Sequence, residues 1–282
     1  MAAKTPTPKA RALGVALRKA RESRDVGVRE LARQIGDDAG ALSRYEKGER
    51  ALKPEKASQI LGALGINGSE YQAIMALTHD TEGPLWVAVS LPEQQHQADA
   101  LLEFEDKASR IILVGASLIP GLLQTRNYTE AIMKSNDDVP SSEIRTRVAV
   151  RLGRQTVLGR AKPVVLDALM GEGVLDQLIG TSAGMIEQLN WLLEIGEREN
   201  VSIRVMPKMG GWHPGLEGMF DLIESELMPV VQLDTRRSSL FLHEEQDVDS
   251  YRRAVEQASR VAMSPADSAG LIAEHIKRWE SK

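Results

Sequence analysis

The 282-residue chain contains no cysteine, and this absence excludes disulfides, thiol catalysis and cysteine-ligated zinc. Its five histidines are scattered, and His243-Glu244-Glu245 lacks the second histidine that a zinc-protease helix carries four residues after the first. Gly62, Gly65 and Gly68 are spaced like a phosphate-binding loop, but no strand is predicted before them. We therefore expect no catalytic residue, no metal and no cofactor, and we do not expect an enzyme.

Long apolar runs are also missing from the chain. No stretch approaches the roughly 18 consecutive apolar residues of a membrane helix, so we expect no membrane partner. The first eleven residues hold mainly alanine, proline, threonine and lysine, in place of the apolar segment of a secretory signal. We expect residues 1–8 to form a flexible arm and the protein to be cytoplasmic.

Residues 28–47 are the most informative part of the sequence. Apolar residues recur there at helical spacing in two short stretches: Leu31, Ala32 and Ile35, then Leu42 and Tyr45. Two helices that cross steeply need a small residue at the crossing, which Ala32 supplies, and a turn residue that accepts a positive φ, which Gly36 supplies. Asp37 or Asp38 can cap the second helix. This spacing predicts a helix-turn-helix.

Further helical patterns flank this motif on both sides. Residues 13–20 carry apolar residues at helical spacing, a downstream helix starts at Pro54 and ends at Gly65, and Tyr71 lies in a fifth pattern. The sequence therefore predicts a compact all-α domain of five helices at residues 9–78.

The charges of the chain are distributed unevenly. The formal net charge is −5, yet residues 1–60 hold 14 Lys and Arg against 8 Asp and Glu, while the remainder holds 21 against 32. A basic segment of this kind is the electrostatic footprint of a phosphate-binding surface. We therefore expect double-stranded DNA to bind the amino-terminal part and not the acidic remainder, and we expect the protein to be associated with the nucleoid.

Three motifs within residues 9–78 match those of a known family: Glu30-Leu31-Ala32, Ile35-Gly36, and the run Leu42-Ser43-Arg44-Tyr45-Glu46-Lys47-Gly48-Glu49-Arg50. With them the region resembles the helix-turn-helix regulators of the xenobiotic-response-element (XRE), or Cro/CI-like, type. One position departs from the family pattern, because Asp37 stands where an apolar residue usually follows the turn glycine. The resemblance implies the DNA-binding domain of a transcriptional regulator.

The resemblance also implies which residues reach the DNA bases: Asp38, Ala39, Gly40, Ser43 and Arg44. Arg44 is the one side chain among them that can make a bidentate contact to guanine, with Ser43 as its helper. The alternative is a plain structural corner, in which Arg44 pairs with Glu46 or Glu49 on a solvated face.

Phosphate contacts depend on charge and reach more than on shape. Arg29 lies at the start of the first helix of the motif, and Lys47 and Arg50 lie beyond the second helix. We expect these three side chains to contact phosphates.

The rest of the chain mixes helices and strands. A connector at residues 79–97 contains the helix-breaking pair Gly83-Pro84. Helical patterns occur at about residues 93–108, 127–135, 141–160, 183–199, 246–262 and 265–280. Apolar, β-branched runs occur at Ile111–Val114, Val164–Leu169, Val201–Met206, Met219–Ile223 and Val230–Leu233. We therefore predict a multidomain chain with a mixed α/β (α+β) effector and dimerisation domain at residues 98–282.

A second resemblance covers this part of the chain. Its motifs are Phe104-Glu105-x-x-Ala108, Ile119-Pro120-Gly121-Leu122-Leu123-Gln124-Thr125-x-x-Tyr128-x-x-Ala131, Arg147 to Arg160, Trp212-His213-Pro214-Gly215 and Ala262-Met263-Ser264-Pro265-x-x-Ser268. They resemble the carboxy-terminal domain, long of unknown function, that follows this kind of helix-turn-helix in many actinobacterial regulators. The resemblance implies an antitoxin-like regulator, often encoded near a small partner protein.

Two places in this part are candidates for contact with an effector or a partner. Gln124 and Thr125 precede a predicted helix and could cap it. The loop at residues 209–215 has glycines that permit unusual backbone angles, while Trp212 offers a stacking face and His213 a titrating group. We name Gln124, Trp212 and His213 as the candidate residues, against the alternatives of a structural corner and a plain loop.

Together these observations predict a sequence-specific DNA-binding transcriptional regulator. One helix-turn-helix contacts too few phosphates for strong specificity, so we expect a homodimer whose DNA domains lie roughly 34 Å apart on a palindrome. The carboxy-terminal part would dimerise and sense a small molecule or a small protein. The alternative is an antitoxin-like interaction protein that neutralises a small cognate partner and binds DNA for autoregulation. An effector-cleaving enzyme would need a buried polar cleft around His213.

Overall fold

The structure, a computed structural model, describes residues 7–79, 81, 83, 85–88, 91–225, 228–235 and 239–281. Its α-helices are Pro8–Glu22 (α1), Val28–Gln34 (α2), Ala39–Glu46 (α3), Pro54–Ala63 (α4), Gly68–Ala76 (α5), Leu91–Lys107 (α6), Arg126–Lys134 (α7), Ile144–Arg154 (α8), Gly173–Asp176 (α9), Ser182–Gly196 (α10), Glu245–Val261 (α11) and Pro265–Glu280 (α12). Its strands are Leu85–Val87 (β1), Arg110–Gly115 (β2), Val165–Gly171 (β3), Val201–Met206 (β4), Phe220–Glu224 (β5), Val230–Asp234 (β6) and Ser239–Leu242 (β7). Residues 1–6 of the predicted arm and Pro84 of the predicted connector lie outside the described residues.

Contacts between residues divide the chain into two compact units. Unit 1 comprises the described residues of Met1–Phe104 and Leu227–Val248, and unit 2 comprises those of Glu105–Glu226 and Asp249–Lys282. Unit 1 therefore holds α1 to α5 together with β1, β6 and β7, while unit 2 holds the other four strands. In the part of the chain that the structure describes, no helix is both long enough and apolar enough to cross a membrane.

The first five helices of unit 1 form the predicted all-α bundle. α1 begins at Pro8 behind Thr7, whose hydroxyl oxygen accepts the Ala10 N–H at 3.1 Å. The turn after α2 contains Gly36 with a φ of 63°, the left-handed conformation that the motif requires there. Fully buried side chains from four of the helices form the core: Leu13, Leu17, Leu31, Leu42, Ile60 and Leu61.

The rest of unit 1 contains a small antiparallel sheet in which β1 and β6 both pair with β7. Phe241 of β7 is fully buried and contacts Trp86 and Phe104, with ring centroids 5.9 and 5.6 Å away. The Trp86 indole N–H donates to Glu93 at 2.9 Å. Sequence analysis predicts neither β1 nor β7, because strands of three and four residues are too short for a periodic pattern.

Unit 2 contains a mixed sheet with the strand order β5-β2-β3-β4. β2, β3 and β4 are parallel, and β5 is antiparallel to β2. Residues 111–114 are buried throughout, as expected for a continuous apolar run in a sheet that is covered on both faces. The end of α11 is held by Arg204 of β4, which donates hydrogen bonds to the carbonyls of Ser259, Ala262 and Met263. The predicted mixed α/β class of the carboxy-terminal part is therefore confirmed.

Candidate nucleic-acid interface

The predicted recognition helix is α3, and two aspartates fix its first turn. Asp38 is the cap, since its Oδ2 accepts the Ala41 N–H at 2.8 Å. Asp37, the departure from the family pattern, instead accepts the Asp38 N–H at 2.9 Å and pairs with Lys56 of α4 at 2.9 Å. The hydrogen bond from Lys56 lowers the pKa of Asp37. Asp37 therefore ties the start of α3 to α4 and leaves the capping to its neighbour.

A buried ion pair fixes the other end of α3. Arg21 of α1 donates from Nε and Nη2 to the two carboxylate oxygens of Glu46, at 2.6 and 2.9 Å. Both residues are buried, and the hydrogen bond to Glu46 raises the pKa of Arg21. Gly14 allows this contact between helices, because a Cβ there would lie 2.6 Å from the Tyr45 carbonyl oxygen. Glu46 is therefore committed to Arg21 and is not the partner of Arg44.

The candidate base-reading residues lie on the accessible side of α3. Arg44 and Asp38 are exposed, while Ala39, Gly40 and Ser43 are half-buried. A Cβ on Gly40 would lie 2.8 Å from Asp38 Oδ2 and 3.6 Å from Arg44 Nη1, so the structure brings these three residues together. Within the described residues, Arg44 has no ion-pair partner. Its guanidinium is available to a ligand.

The candidate phosphate contacts are also accessible. Arg29, Lys47 and Arg50 are exposed, and the Arg50 guanidinium lies 5.1 Å from the centroid of the Tyr45 ring. This cation–π contact holds Arg50 just beyond α3. Sequence analysis missed two further exposed cations, Arg33 in the last turn of α2 and Lys53 before α4. Arg33 directly follows Ala32, which faces inward, so the helical spacing places Arg33 off the buried face of α2. This spacing is the signal in the sequence that could have identified Arg33 as accessible.

The basic residues of α1, unlike the candidate phosphate contacts, are largely paired with carboxylates. Carboxylates of α6 neutralise three of them: Lys9 pairs with Glu93, Arg18 with Glu103 and Lys19 with Asp99, at 3.7, 2.9 and 2.6 Å. The excess of basic residues at the start of the sequence therefore overstates the positive charge that this unit can offer to DNA. The available charge lies on α2, on α3 and just after them.

Gln124, a candidate for effector contact, is buried inside unit 2. Its Nε2 donates to the Ile119 carbonyl at 2.7 Å, and its Oε1 accepts from Arg151 at 2.9 Å and from Thr129 at 3.2 Å. Thr125, and not Gln124, caps α7. The Gln124 side chain thus braces the loop between β2 and α7.

The other candidates lie in the loop between β4 and β5. Trp212 is 62% exposed, and it shares the loop with the exposed apolar side chains of Met209 and Leu216. His213 is buried, which lowers the pKa of its imidazole, and its Nδ1 has no hydrogen-bond partner among the described residues. The loop therefore presents an apolar surface beside a histidine that is neutral at pH 7.

Two families match the chain. A family described as a helix-turn-helix domain matches residues 12–73, which include most of α1, all of α2 to α4 and the accessible cations. A family described as a domain of unknown function, DUF5753, matches residues 98–274, more than half of the chain. No curated protein matches the chain.

Proposed function

Because the chain belongs to the DUF5753 family and has a helix-turn-helix domain before that region, we propose that it is a sequence-specific DNA-binding transcriptional regulator of the XRE type. The observation that carries this proposal is the exposed Arg44 on a helix that is fixed at both ends. A rigid helix with one uncommitted guanidinium is suited to reading base edges, because the orientation of the side chain is set before DNA arrives.

In the proposed complex, α3 enters the major groove. Arg44 donates two hydrogen bonds to the O6 and N7 acceptors of a guanine, and Ser43 assists it. Arg29, Lys47 and Arg50 contact the phosphates on both sides of the groove and set the register of α3. Asp38 keeps the first turn of α3 intact through its bond to the Ala41 N–H.

We further propose that the regulator acts as a homodimer at the nucleoid, in the manner of the actinobacterial regulators that the sequence resembles. Two α3 helices roughly 34 Å apart would read two half-sites on one face of the duplex. The carboxy-terminal part would hold the two copies together and sense a small molecule or a small protein. Such a ligand acts by binding one arrangement of the dimer more tightly than the other.

The experiment that tests the proposal is a gel-shift titration of the full chain against fragmented native chromosome. We expect a small set of fragments to bind at least about a thousandfold more tightly than the bulk, as specific regulators do at physiological salt. If all fragments bind alike and only weakly, the chain is not a sequence-specific regulator.

A second candidate function is supported by the exposed apolar side chains of Met209, Trp212 and Leu216 in one loop. Exposed apolar side chains grouped in one loop are a candidate surface for another protein, because contiguous exposed apolar patches mark interaction sites. The candidate is an antitoxin-like protein that holds a small cognate partner and binds DNA for autoregulation. Co-expression with the product of the adjacent gene tests it: a stoichiometric complex that Trp212→Ala abolishes favours this function, and two separate proteins contradict it.

A further inference from the structure

Unit 2 contains a cleft. One side of the cleft is formed by α10, and the other side by the carboxyl end of α8 and the turn that follows α8. Its volume is about 530 Å³, within the range of sites that hold small organic ligands. Leu152 and Ile195 line it with aliphatic carbon, Trp191 adds an aromatic ring, and Arg160 and Arg198 add two guanidinium groups. The cleft thus combines an apolar wall with positive charge.

Among the described residues, no carboxylate lines this cleft, although the unit around it is rich in carboxylates. A second cavity, between α7 and α10, includes Glu130 and Glu187, and a third, beneath α11, includes Glu224 and Glu256. The cleft beside Trp191 is therefore the one of these three whose lining favours an anion.

The two guanidinium groups of the cleft differ in their partners. Arg160 already has an ion-pair partner, since it donates to the carboxylate of Asp106 at 2.8 Å. Arg198 makes only a long hydrogen bond, 3.4 Å, to the Leu158 carbonyl, and it has no ion-pair partner in the part of the chain that is described. Arg198 is exposed, so its charge can be compensated by a ligand.

Trp191 supplies a second, independent signal. Its indole N–H is buried, and no acceptor among the described residues receives a hydrogen bond from it. Buried indole N–H groups normally have a partner, because an unpaired donor costs stability. The Trp86 and Trp279 N–H groups of this chain donate to Glu93 and to the Leu175 carbonyl. The unpaired indole N–H distinguishes Trp191, which lines the cleft, from these two tryptophans.

We propose that this cleft binds a small organic anion with a planar apolar body. The ring system packs against Trp191, Leu152 and Ile195, and the anionic group, a carboxylate or a sulfonate, accepts hydrogen bonds from Arg198. The cleft is then the ligand site for the proposed sensing role, and a small aromatic anion is the ligand class. The regulatory use of this site rests on that proposed function. The binding itself requires no DNA.

The test uses the full chain and the aromatic sulfonate probe 8-anilinonaphthalene-1-sulfonate, whose naphthalene ring is planar and whose fluorescence rises when it leaves water. We expect one saturable site, and Arg198→Gln should weaken the binding by about tenfold or more, as the loss of a charge-assisted hydrogen bond does. The uncharged analogue N-phenyl-1-naphthylamine should bind the wild-type chain at least about tenfold more weakly than the sulfonate.

Two further substitutions keep the test sharp. Gly159→Leu should also weaken binding, since a Cβ at Gly159 already lies 3.3 Å from Arg198 Nη1 and a larger side chain fills the mouth of the cleft. Gly159 is exposed with a φ of −124°, which any residue adopts, so this variant should fold. Arg253→Gln, at an exposed arginine of α11, is the matched control that should leave probe binding unchanged.

Two results would overturn the proposal: unchanged probe binding in Arg198→Gln and Gly159→Leu, or equal affinity for the uncharged analogue. Because the titration contains no DNA, its failure leaves the DNA-binding function standing. Failure of the chromosome titration would likewise leave the anion site standing.

Discussion

Helices α2 and α3 of unit 1 differ from the sheet of unit 2 in how their cationic side chains are paired. On α2, α3 and the turn after α3, Arg29, Arg44 and Lys47 are exposed and have no ion pair within the described residues. In unit 2, carboxylates neutralise arginines on the sheet and on its helices: Arg110 pairs with Asp167, Arg154 with Glu105 and Arg252 with Glu224, at 2.7, 2.6 and 3.0 Å. A basic residue counted in the sequence is therefore evidence of a binding surface only if the fold leaves it unpaired.

The largest expected effect concerns a paired cation in the bundle. Glu46→Ala leaves Arg21 charged and buried, so we expect the free energy of unfolding to fall by about 3–5 kcal/mol. Urea unfolding followed by circular dichroism measures this loss. The matched control is Glu70→Ala, which removes the exposed partner of Arg24 and should cost no more than about 1 kcal/mol. Equal losses in the two variants would show that burial of the Arg21–Glu46 pair does not matter.

A smaller effect is expected on DNA binding, where the loss of a free cation is compared with the loss of a paired one. Arg29→Ala should weaken binding to all sequences alike and reduce the slope of log affinity against log salt by about one unit, the value of one lost phosphate contact. Arg18→Ala removes a cation that Glu103 already neutralises, so the slope should stay unchanged. Gel shifts at several salt concentrations give both slopes. A reduced slope in Arg18→Ala would contradict the distinction between free and paired cations.

The smallest effect concerns the buried histidine of unit 2. Burial lowers the pKa of His213 below its ordinary value of about 6.5, so protonation favours the unfolded chain. The stability that His213 contributes is therefore complete above about pH 6.5 and is lost as the pH falls toward the folded-state pKa.

Urea unfolding at pH 7.5 and pH 5.5 tests this dependence. His213→Asn should be less sensitive to pH than the wild-type chain. Some sensitivity should remain in the variant, because burial also lowers the pKa of His96 and His243 in unit 1. The same dependence in both chains would remove His213 as a cause.

Local signals in the sequence predicted the parts of the molecule that local chemistry determines. The cap of α3, predicted at Asp37 or Asp38 and found at Asp38, the turn at Gly36 and the start of α4 at Pro54 each depend on residues within one turn of helix. The strand at residues 111–114 follows from an uninterrupted apolar run. These features were identifiable without any knowledge of the tertiary structure.

The parts that sequence reasoning missed depend on distant residues. Arg21 and Glu46 are 25 positions apart, and Arg18 and Glu103 are 85 apart, so no pattern in a short window connects them. Their pairing decides which of the many basic residues remain free. For the same reason the cleft beside Trp191 was not predicted, because α8 and α10 are separated in the sequence by β3 and α9.

The most direct test of the central claim compares Arg44→Ala with Arg253→Ala on a selected operator and on a copy with one guanine of a half-site replaced. If Arg44 reads that base, its loss should reduce the discrimination between the two duplexes by roughly tenfold to a hundredfold, the value of one bidentate contact, while Arg253→Ala retains it. Each guanine of the half-site is replaced in turn. Discrimination that stays at the wild-type level in Arg44→Ala at every position would contradict the assignment of α3 as the reading helix.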